Sequence, residues 1–191
     1  VKCIREAGIE EQDQLASVFE IREPIHMENE NGTIITILPS KSFRVSCTHA
    51  GEGGRMTQYF STEITPEIYE KEIAPARTFV FYEDVEPLLE KGLIKGGSLE
   101  NAVVIRDDSI LSKEPLRFDE EFARHKILDV IGDLMLSGKR IMGHVVCVKP
   151  GHGANTQMAV QLKKAFGDVI SMTPQVNIPT GEGALDINEV M

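Results

Sequence analysis

The 191-residue sequence has no tryptophan, only three cysteines and no long apolar run. The cysteines Cys3, Cys47 and Cys147 are widely spaced and form no CxxC pair, which argues against a disulfide framework and indicates reduced thiols. The longest aliphatic runs, such as 102–105 and 145–148, are far shorter than the ~20 apolar residues of a membrane-spanning helix. We therefore expect a soluble, cytoplasmic protein without a transmembrane segment.

Positive charge is scarce as well. The chain has 20 Lys and Arg residues against 30 Asp and Glu residues, a formal net charge of −10. This balance opposes binding to phosphate backbones, and no basic cluster offsets it, so we expect no nucleic-acid partner. The hydrophobic content of 41% is typical of a globular protein that buries one core.

The pattern along the chain predicts strands first and mixed strands and helices later. Residues 17–62 alternate apolar and polar positions between turn signals such as Asn31-Gly32, which predicts four strands. Further elements are predicted as helices at 65–74, 85–91, 119–136 and 155–166 and strands at 102–106 and 140–149. This order predicts a layered α+β fold.

One stretch of the predicted main helix combines an imidazole with two carboxylates. His125, Asp129 and Asp133 follow one another at four-residue spacing, so they share one helical face. Such a row suits a divalent metal, with His125 and Asp129 as ligands and Asp133 as support. Spacing alone also allows a solvated pair or a core histidine.

Four separated motifs give the sequence a family resemblance. They are Ala76-Arg77-Thr78-Phe79, the segment 92–104, the pair Arg117-Phe118 with 125–134, and Gly151-His152-Gly153-Ala154-Asn155. In this order they resemble the UDP-3-O-acyl-N-acetylglucosamine deacetylases, zinc amidohydrolases of lipid A biosynthesis in Gram-negative bacteria. The resemblance covers roughly residues 1–167.

The resemblance implies that the α+β fold is a small, mostly antiparallel sheet layered with helices on one face. It also implies a division of the chain. Residues 1–16 correspond to the end of a truncated first domain and 17–167 to the family's second domain, whose active site lies between the two domains. Residues 168–191 read as a linker, and 183–191 resemble the start of a 3-hydroxyacyl-[acyl-carrier-protein] dehydratase. A fusion of the two enzymes would make the full-length protein bifunctional.

The resemblance also assigns the metal. It makes His125 and Asp129 two of three zinc ligands, while the third ligand, a histidine, and a glutamate base fall outside this chain. A catalytic zinc keeps one position for water and lowers its pKa toward ~7. Because two ligands on one helix hold zinc weakly, we expect the fragment alone to have little or no activity.

Three catalytic residues follow from the same resemblance. His152 matches the histidine that protonates the leaving amine, Asp133 the carboxylate that holds this imidazole, and Thr78 the hydroxyl that contacts the oxyanion. A helix-surface carboxylate for Asp133 and a plain strand threonine for Thr78 are the alternatives.

The resemblance further assigns residues to substrate binding. Lys126 resembles a lysine near the nucleotide diphosphate and is predicted to point to another helical face than its neighbour His125. The remaining residues would line the acyl passage, although plain core positions fit them equally well: Phe79, Leu93, Gly97 and Ser98.

Together these residues predict hydrolysis of the acetamide of UDP-3-O-(3-hydroxyacyl)-N-acetylglucosamine. The expected partners are this UDP-linked substrate and the missing first domain, with transient contact to the membrane. The alternative is that the isolated fragment acts as a non-catalytic nucleotide- or acyl-binding or interaction module.

Overall fold

The computed structural model describes residues 1–92, 100–107, 109–166 and 172–177. Its helices are α1 (Lys2–Ala7), α2 (Pro66–Ile68, continued by a π-helical turn Tyr69–Ile73), α3 (Tyr82–Glu90), α4 (Glu121–Met135) and α5 (His152–Phe166). Its strands are β1 (Glu10–Glu20), β2 (Ile25–Glu28), β3 (Ile34–Leu38), β4 (Arg44–His49), β5 (Gln58–Glu63), β6 (Thr78–Phe81), β7 (Ala102–Arg106), β8 (Ser109–Leu111), β9 (Arg140–Met142), β10 (His144–Val148) and β11 (Met172–Asn177).

The core lies between a five-stranded sheet and two helices. The strand order is β2-β3-β10-β4-β5, and both α4 and α5 pack on this sheet. Alternate side chains along the strands face the helices and are buried, as the period of two requires: Ile35, Ile37, Val45, Cys47, Val145 and Cys147. Each fully buried Val or Ile contributes about 1.5–3 kcal/mol, so this interface fixes the position of α4 on the sheet.

The α+β fold class is confirmed, but the sheets are mixed rather than mostly antiparallel. Each of the three sheets formed by the described residues contains one parallel pair: β10 with β4, β1 with β9, and β6 with β7. Parallel neighbours need a long crossover connection. Helix α4 lies in the connection from β4 to β10 and provides this crossover. The parallel pairing was not predictable from the alternation of apolar and polar residues along a single strand.

The predicted strand at 140–149 is divided into β9 and β10 at Gly143. A Cβ atom added at Gly143 would lie 2.6 Å from Cγ1 of Ile21, so only glycine fits at this crossing. On either side, β9 pairs with β1 and β10 joins the five-stranded sheet. The last helix begins at His152 rather than at Asn155, which makes His152 the first residue of α5.

Strands β1 and β11, which are far apart in the sequence, pair in a separate sheet. Helix α1 ends before Gly8, which has a φ of 86°, and β1 pairs with β11 in antiparallel fashion. The predicted linker 168–191 therefore contains a strand, while the segment with dehydratase resemblance, 183–191, lies outside the described residues. The division into domains stays a prediction. Within the described ranges, no helix is long and apolar enough to cross a membrane.

The small sheet β6-β7-β8 positions the segment that enters β6 against α4. Buried Val103 and Ile105 of β7 pack with Phe122 of α4, and Phe79 and Phe81 of β6 lie against this cluster. The start of β6 is therefore held beside the first turns of α4. This is where the two central candidate motifs, 76–79 and 125–134, come together.

Candidate active site

The polar row of α4 begins one turn earlier than the sequence pattern suggested. Glu121, His125, Asp129 and Asp133 follow at four-residue intervals and form one stripe along the helix. The opposite stripe contains Ile127, Val130 and Leu134, which are buried against the sheet and anchor the helix. The row is thus presented on the side of α4 that does not pack on the five-stranded sheet.

His125 and Asp129 approach each other within this row. His125 Nε2 lies 3.6 Å from Asp129 Oδ1, and the two side chains are 15% and 9% exposed. The other ring nitrogen, Nδ1, lies 3.2 Å from the carbonyl oxygen of Ala76. Both neighbouring oxygens only accept, but 3.2 Å is within hydrogen-bond range and 3.6 Å is not, so the proton of the neutral ring lies on Nδ1 and Nε2 keeps a lone pair on the side of the carboxylate.

Electrostatics favour the neutral form of His125. Burial lowers the pKa of His125, and the nearby Lys126 and His152 side chains act in the same direction. The Asp129 carboxylate and the Ala76 carbonyl oppose this shift without reversing it. Neutral imidazole is the form that binds metal ions, so the environment suits a ligand role.

Lys126 does not point to another face, and that prediction is wrong. Its ammonium Nζ lies 3.0 Å from Asp129 Oδ2, so the same carboxylate faces both His125 and Lys126. Residues three apart are neighbours on a helix, and the long lysine stem closes the remaining gap. The same ammonium lies 5.3 Å from the ring centroid of Phe79, within cation–π range.

His152 joins the row through Asp133. His152 Nδ1 donates to Asp133 Oδ2 at 2.9 Å, although the histidine side chain itself is 71% exposed. Asn155, one turn further along α5, donates to the same oxygen from Nδ2 at 2.9 Å. Asn155 is fully buried, so this hydrogen bond fixes the orientation of the Asp133 carboxylate. The sequence motif contains Asn155, but nothing in its pattern indicated this contact.

Thr78 and Phe79 occupy the start of β6. Thr78 is exposed and directly follows the buried Arg77, while the ring of Phe79 lies 6.0 Å from that of His125 and 4.7 Å from that of Phe122. Phe79 thus borders both the histidine and the small apolar cluster. The other predicted acyl-passage residues, Leu93, Gly97 and Ser98, lie outside the described residues.

The sequence patterns assign no role to a third histidine of the site, His49 at the end of β4. Its ring packs edge-on against Phe79 at 4.8 Å and is 6% exposed. Its Nε2 is buried and has no hydrogen-bond partner in the described part of the chain. Burial, followed by the positive charge of Lys126, lowers the pKa of His49 to about 4. His49 is therefore a neutral side chain that lines the site at physiological pH.

The low pKa of His49 predicts a loss of stability in acid. The unfolded chain takes up this proton near pH 6.5 and the folded chain only near pH 4, so stability is complete above this window and falls as the pH drops through it. Between about pH 7 and pH 5, His49 is expected to account for roughly 1 to 2 kcal/mol of lost unfolding free energy.

Urea unfolding at the two pH values measures this effect. The His49→Leu variant should lose that part of the pH dependence, whereas His26→Asn, a change at an exposed histidine on β2, should keep it. Equal pH slopes for His49→Leu and the unchanged chain would contradict the assignment.

The donor set at His125 and Asp129 suits a zinc ion only in part. One imidazole nitrogen and one carboxylate oxygen converge, which are donor types that zinc accepts. No group of three or more potential ligands occurs among the described residues. The residues present thus fit two positions of a metal site and leave the others to groups outside them.

The chain is similar to known proteins over most of its length. The family model for UDP-3-O-acyl N-acetylglycosamine deacetylase matches residues 1–164. A UDP-3-O-acyl-N-acetylglucosamine deacetylase of Chlamydia muridarum is 41% identical over 168 residues, which are 87% of this chain and 58% of that protein.

Two further relatives carry the same name. The protein of Chlamydia trachomatis serovar L2 is 42% identical over 165 residues, covering 85% of this chain and 57% of the relative. That of Chlamydia pneumoniae is 41% identical over 168 residues, covering 87% and 59%. The chain thus spans a little under three fifths of the length of these relatives. The match of the family model over most of the chain shows that it belongs to the UDP-3-O-acyl N-acetylglycosamine deacetylase family.

Proposed function

We propose that this chain supplies one side of a zinc-dependent deacetylase site. The reaction is hydrolysis of the acetamide of UDP-3-O-(3-hydroxyacyl)-N-acetylglucosamine in lipid A biosynthesis, which gives the free amine and acetate. The relatives named for this deacetylation support the substrate class. The observation that carries the proposal is the polar row of α4. Asp129 pairs with His125 of the same helix, and Asp133, one turn further on, pairs with His152 of α5.

His125 Nε2 and an oxygen of Asp129 would hold the zinc ion. When bound, zinc supplies Lewis acidity toward the amide carbonyl and toward the attacking water. The third ligand, a histidine, and the glutamate base that takes the water proton would come from outside this chain, which spans only part of its relatives' length. The hydrogen bond from His125 Nδ1 to Ala76 keeps the ligand nitrogen oriented.

The proton that the leaving group needs would come from His152. Breaking the amide C–N bond requires a proton on nitrogen, because an amide anion is a very poor leaving group. Asp133 accepts the Nδ1 proton of His152, which orients the ring and leaves Nε2 to deliver its proton to the amine. The high exposure of His152 gives substrate access to this nitrogen.

The remaining predicted residues would bind and orient. The Thr78 hydroxyl, exposed at the start of β6, donates to the oxyanion of the tetrahedral species. The Lys126 ammonium would exchange part of its contact with Asp129 for the substrate diphosphate. Phe79, with Leu93, Gly97 and Ser98, would line the acyl passage. This function places the protein in the cytoplasm of a Gram-negative bacterium, in transient contact with the membrane through its lipid substrate.

The decisive experiment is an assay of acetate release by the full-length polypeptide that carries this chain. We expect deacetylation that is lost on removal of metal with a chelator and restored by zinc. The isolated 191-residue chain should show little or no turnover, in keeping with the incomplete ligand set among the residues that the structure describes. Activity that survives complete metal removal would contradict the zinc proposal, and no acetate release by the zinc-loaded full-length protein would contradict the deacetylase proposal.

A further inference from the structure

A buried ion pair lies one helical turn before His125, the candidate metal ligand. Glu121 is fully buried, and its carboxylate accepts hydrogen bonds from Arg77 Nε at 2.8 Å and Arg77 Nη2 at 2.9 Å. The backbone N–H of Arg117 donates to the same carboxylate at 2.7 Å. The guanidinium of Arg77 also donates to the carbonyl of Pro115. The pair therefore ties two loop segments to the first turn of α4.

A further bond of Glu121 reaches the backbone beside Ala76. The backbone N–H of Arg77 donates to Glu121 Oε1 at 2.9 Å. This N–H and the carbonyl of Ala76 belong to one planar peptide unit, in which they point in opposite directions. The carbonyl end of that unit accepts from His125 Nδ1 at 3.2 Å.

The peptide unit thus spans one turn of α4. Glu121 and His125 lie four residues apart on one helical face, about 6 Å along the axis. Glu121 holds the N–H end of the unit and His125 contacts its C=O end. Because the unit is rigid, fixing its N–H also fixes the direction of its carbonyl. The charged side chain of Arg77 holds Glu121 in the position that this requires.

We propose that the Arg77–Glu121 pair is a positioning device that sets the tautomer of His125 through the Ala76–Arg77 peptide. With the carbonyl aimed at Nδ1, the neutral ring carries its proton there and keeps Nε2 open toward Asp129. The pair does not touch the metal position or the substrate. Only the naming of His125 as a ligand rests on the proposed function, because the tautomer follows from the hydrogen bonds alone.

The test measures the tautomer of His125 in the metal-free 191-residue chain by nitrogen-15 NMR at alkaline pH, where imidazoles are neutral. The main variant is Arg77→Met/Glu121→Leu, which replaces the pair by apolar side chains and leaves no buried charge unpaired. Glu121→Gln is the second variant, because it removes the charge and keeps the shape. The matched control is Arg124→Met, which breaks the Arg124–Glu72 pair on the neighbouring position of the same helix without touching residues 76 and 77.

We expect the unchanged chain and Arg124→Met to hold the proton on Nδ1. In the double variant, the population ratio of the Nδ1-H to the Nε2-H form should fall about fivefold, the effect of losing one ordinary neutral hydrogen bond. Glu121→Gln should shift the ratio in the same direction and by less.

Three results would overturn the proposal. They are a proton on Nε2 in the unchanged chain, an unchanged ratio in the folded double variant, and an equal shift in Arg124→Met. The first needs no variant to fold. If the full-length protein released no acetate while these tautomer shifts occurred, the deacetylase function would fail and the positioning role would stand.

Discussion

Replacing His152 by alanine in the full-length protein is expected to lower kcat about 10²- to 10⁴-fold, the usual contribution of a positioned general acid. The imidazole is 71% exposed and is held by Asp133, so its loss removes a proton donor without opening a cavity in the core. KM should change little, because proton transfer to nitrogen occurs in the transition state and adds nothing to substrate binding.

Steady-state acetate release measures this loss, and two more variants make it specific. Asp133→Asn should also lower kcat, and combining it with His152→Ala should cost less than the product of the two single effects, because both act through one proton. His26→Ala, at an exposed histidine on β2, should leave kcat unchanged. A kcat of the His152→Ala variant within about twofold of the unchanged enzyme would rule out the general-acid role.

The elements of the site were predictable because their signals are local. Helix α4 carries an apolar stripe at helical spacing, and its four-residue polar row is visible in the sequence from His125 to Asp133. Nothing in that row reveals that Glu121 continues it as a buried, paired carboxylate. The glutamate lies at the same spacing, but its partner Arg77 is 44 residues away, and only the fold brings them together.

The features that escaped prediction depend on contacts between distant segments. The parallel pairing of β10 with β4 follows from the crossover through α4. The orientation of Lys126 depends on the length of its stem, since Asp129 lies within its reach at i+3. The contact of Asn155 with Asp133 joins α5 to α4. Periodicity along one segment reports which face is buried and contains no information on which residue of another segment meets it.

Removing the Glu121 carboxylate is expected to lower the unfolding free energy more than any other substitution proposed for this chain. Glu121→Ala leaves the buried guanidinium of Arg77 without its partner, and breaking a buried ion pair from one side costs about 3–5 kcal/mol. Burial alone raises the pKa of Glu121, but the hydrogen bonds from Arg77 and Arg117 outweigh it and hold that pKa below its usual range. The stabilisation is therefore complete above the ordinary glutamate range and is lost as the pH falls through the lowered pKa.

Urea unfolding of the 191-residue chain at neutral pH measures this loss. Arg77→Met/Glu121→Leu should recover most of the stability that Glu121→Ala loses, because apolar side chains of similar volume leave no charge to desolvate. Glu63→Ala, which removes the half-exposed partner of Arg44, should change the unfolding free energy by less than about 1 kcal/mol.

If Glu121→Ala lowered the unfolding free energy no more than Glu63→Ala, the Arg77–Glu121 pair would not hold β6 to α4. If the double variant were as unstable as Glu121→Ala, the cost would come from lost packing rather than from an unpaired charge. We expect the double variant to recover stability but not the His125 tautomer, and this result would separate the two roles of the pair. Stability requires only that the buried space be filled by uncharged side chains. The orientation of the Ala76 carbonyl requires in addition an acceptor for the backbone N–H at residue 77.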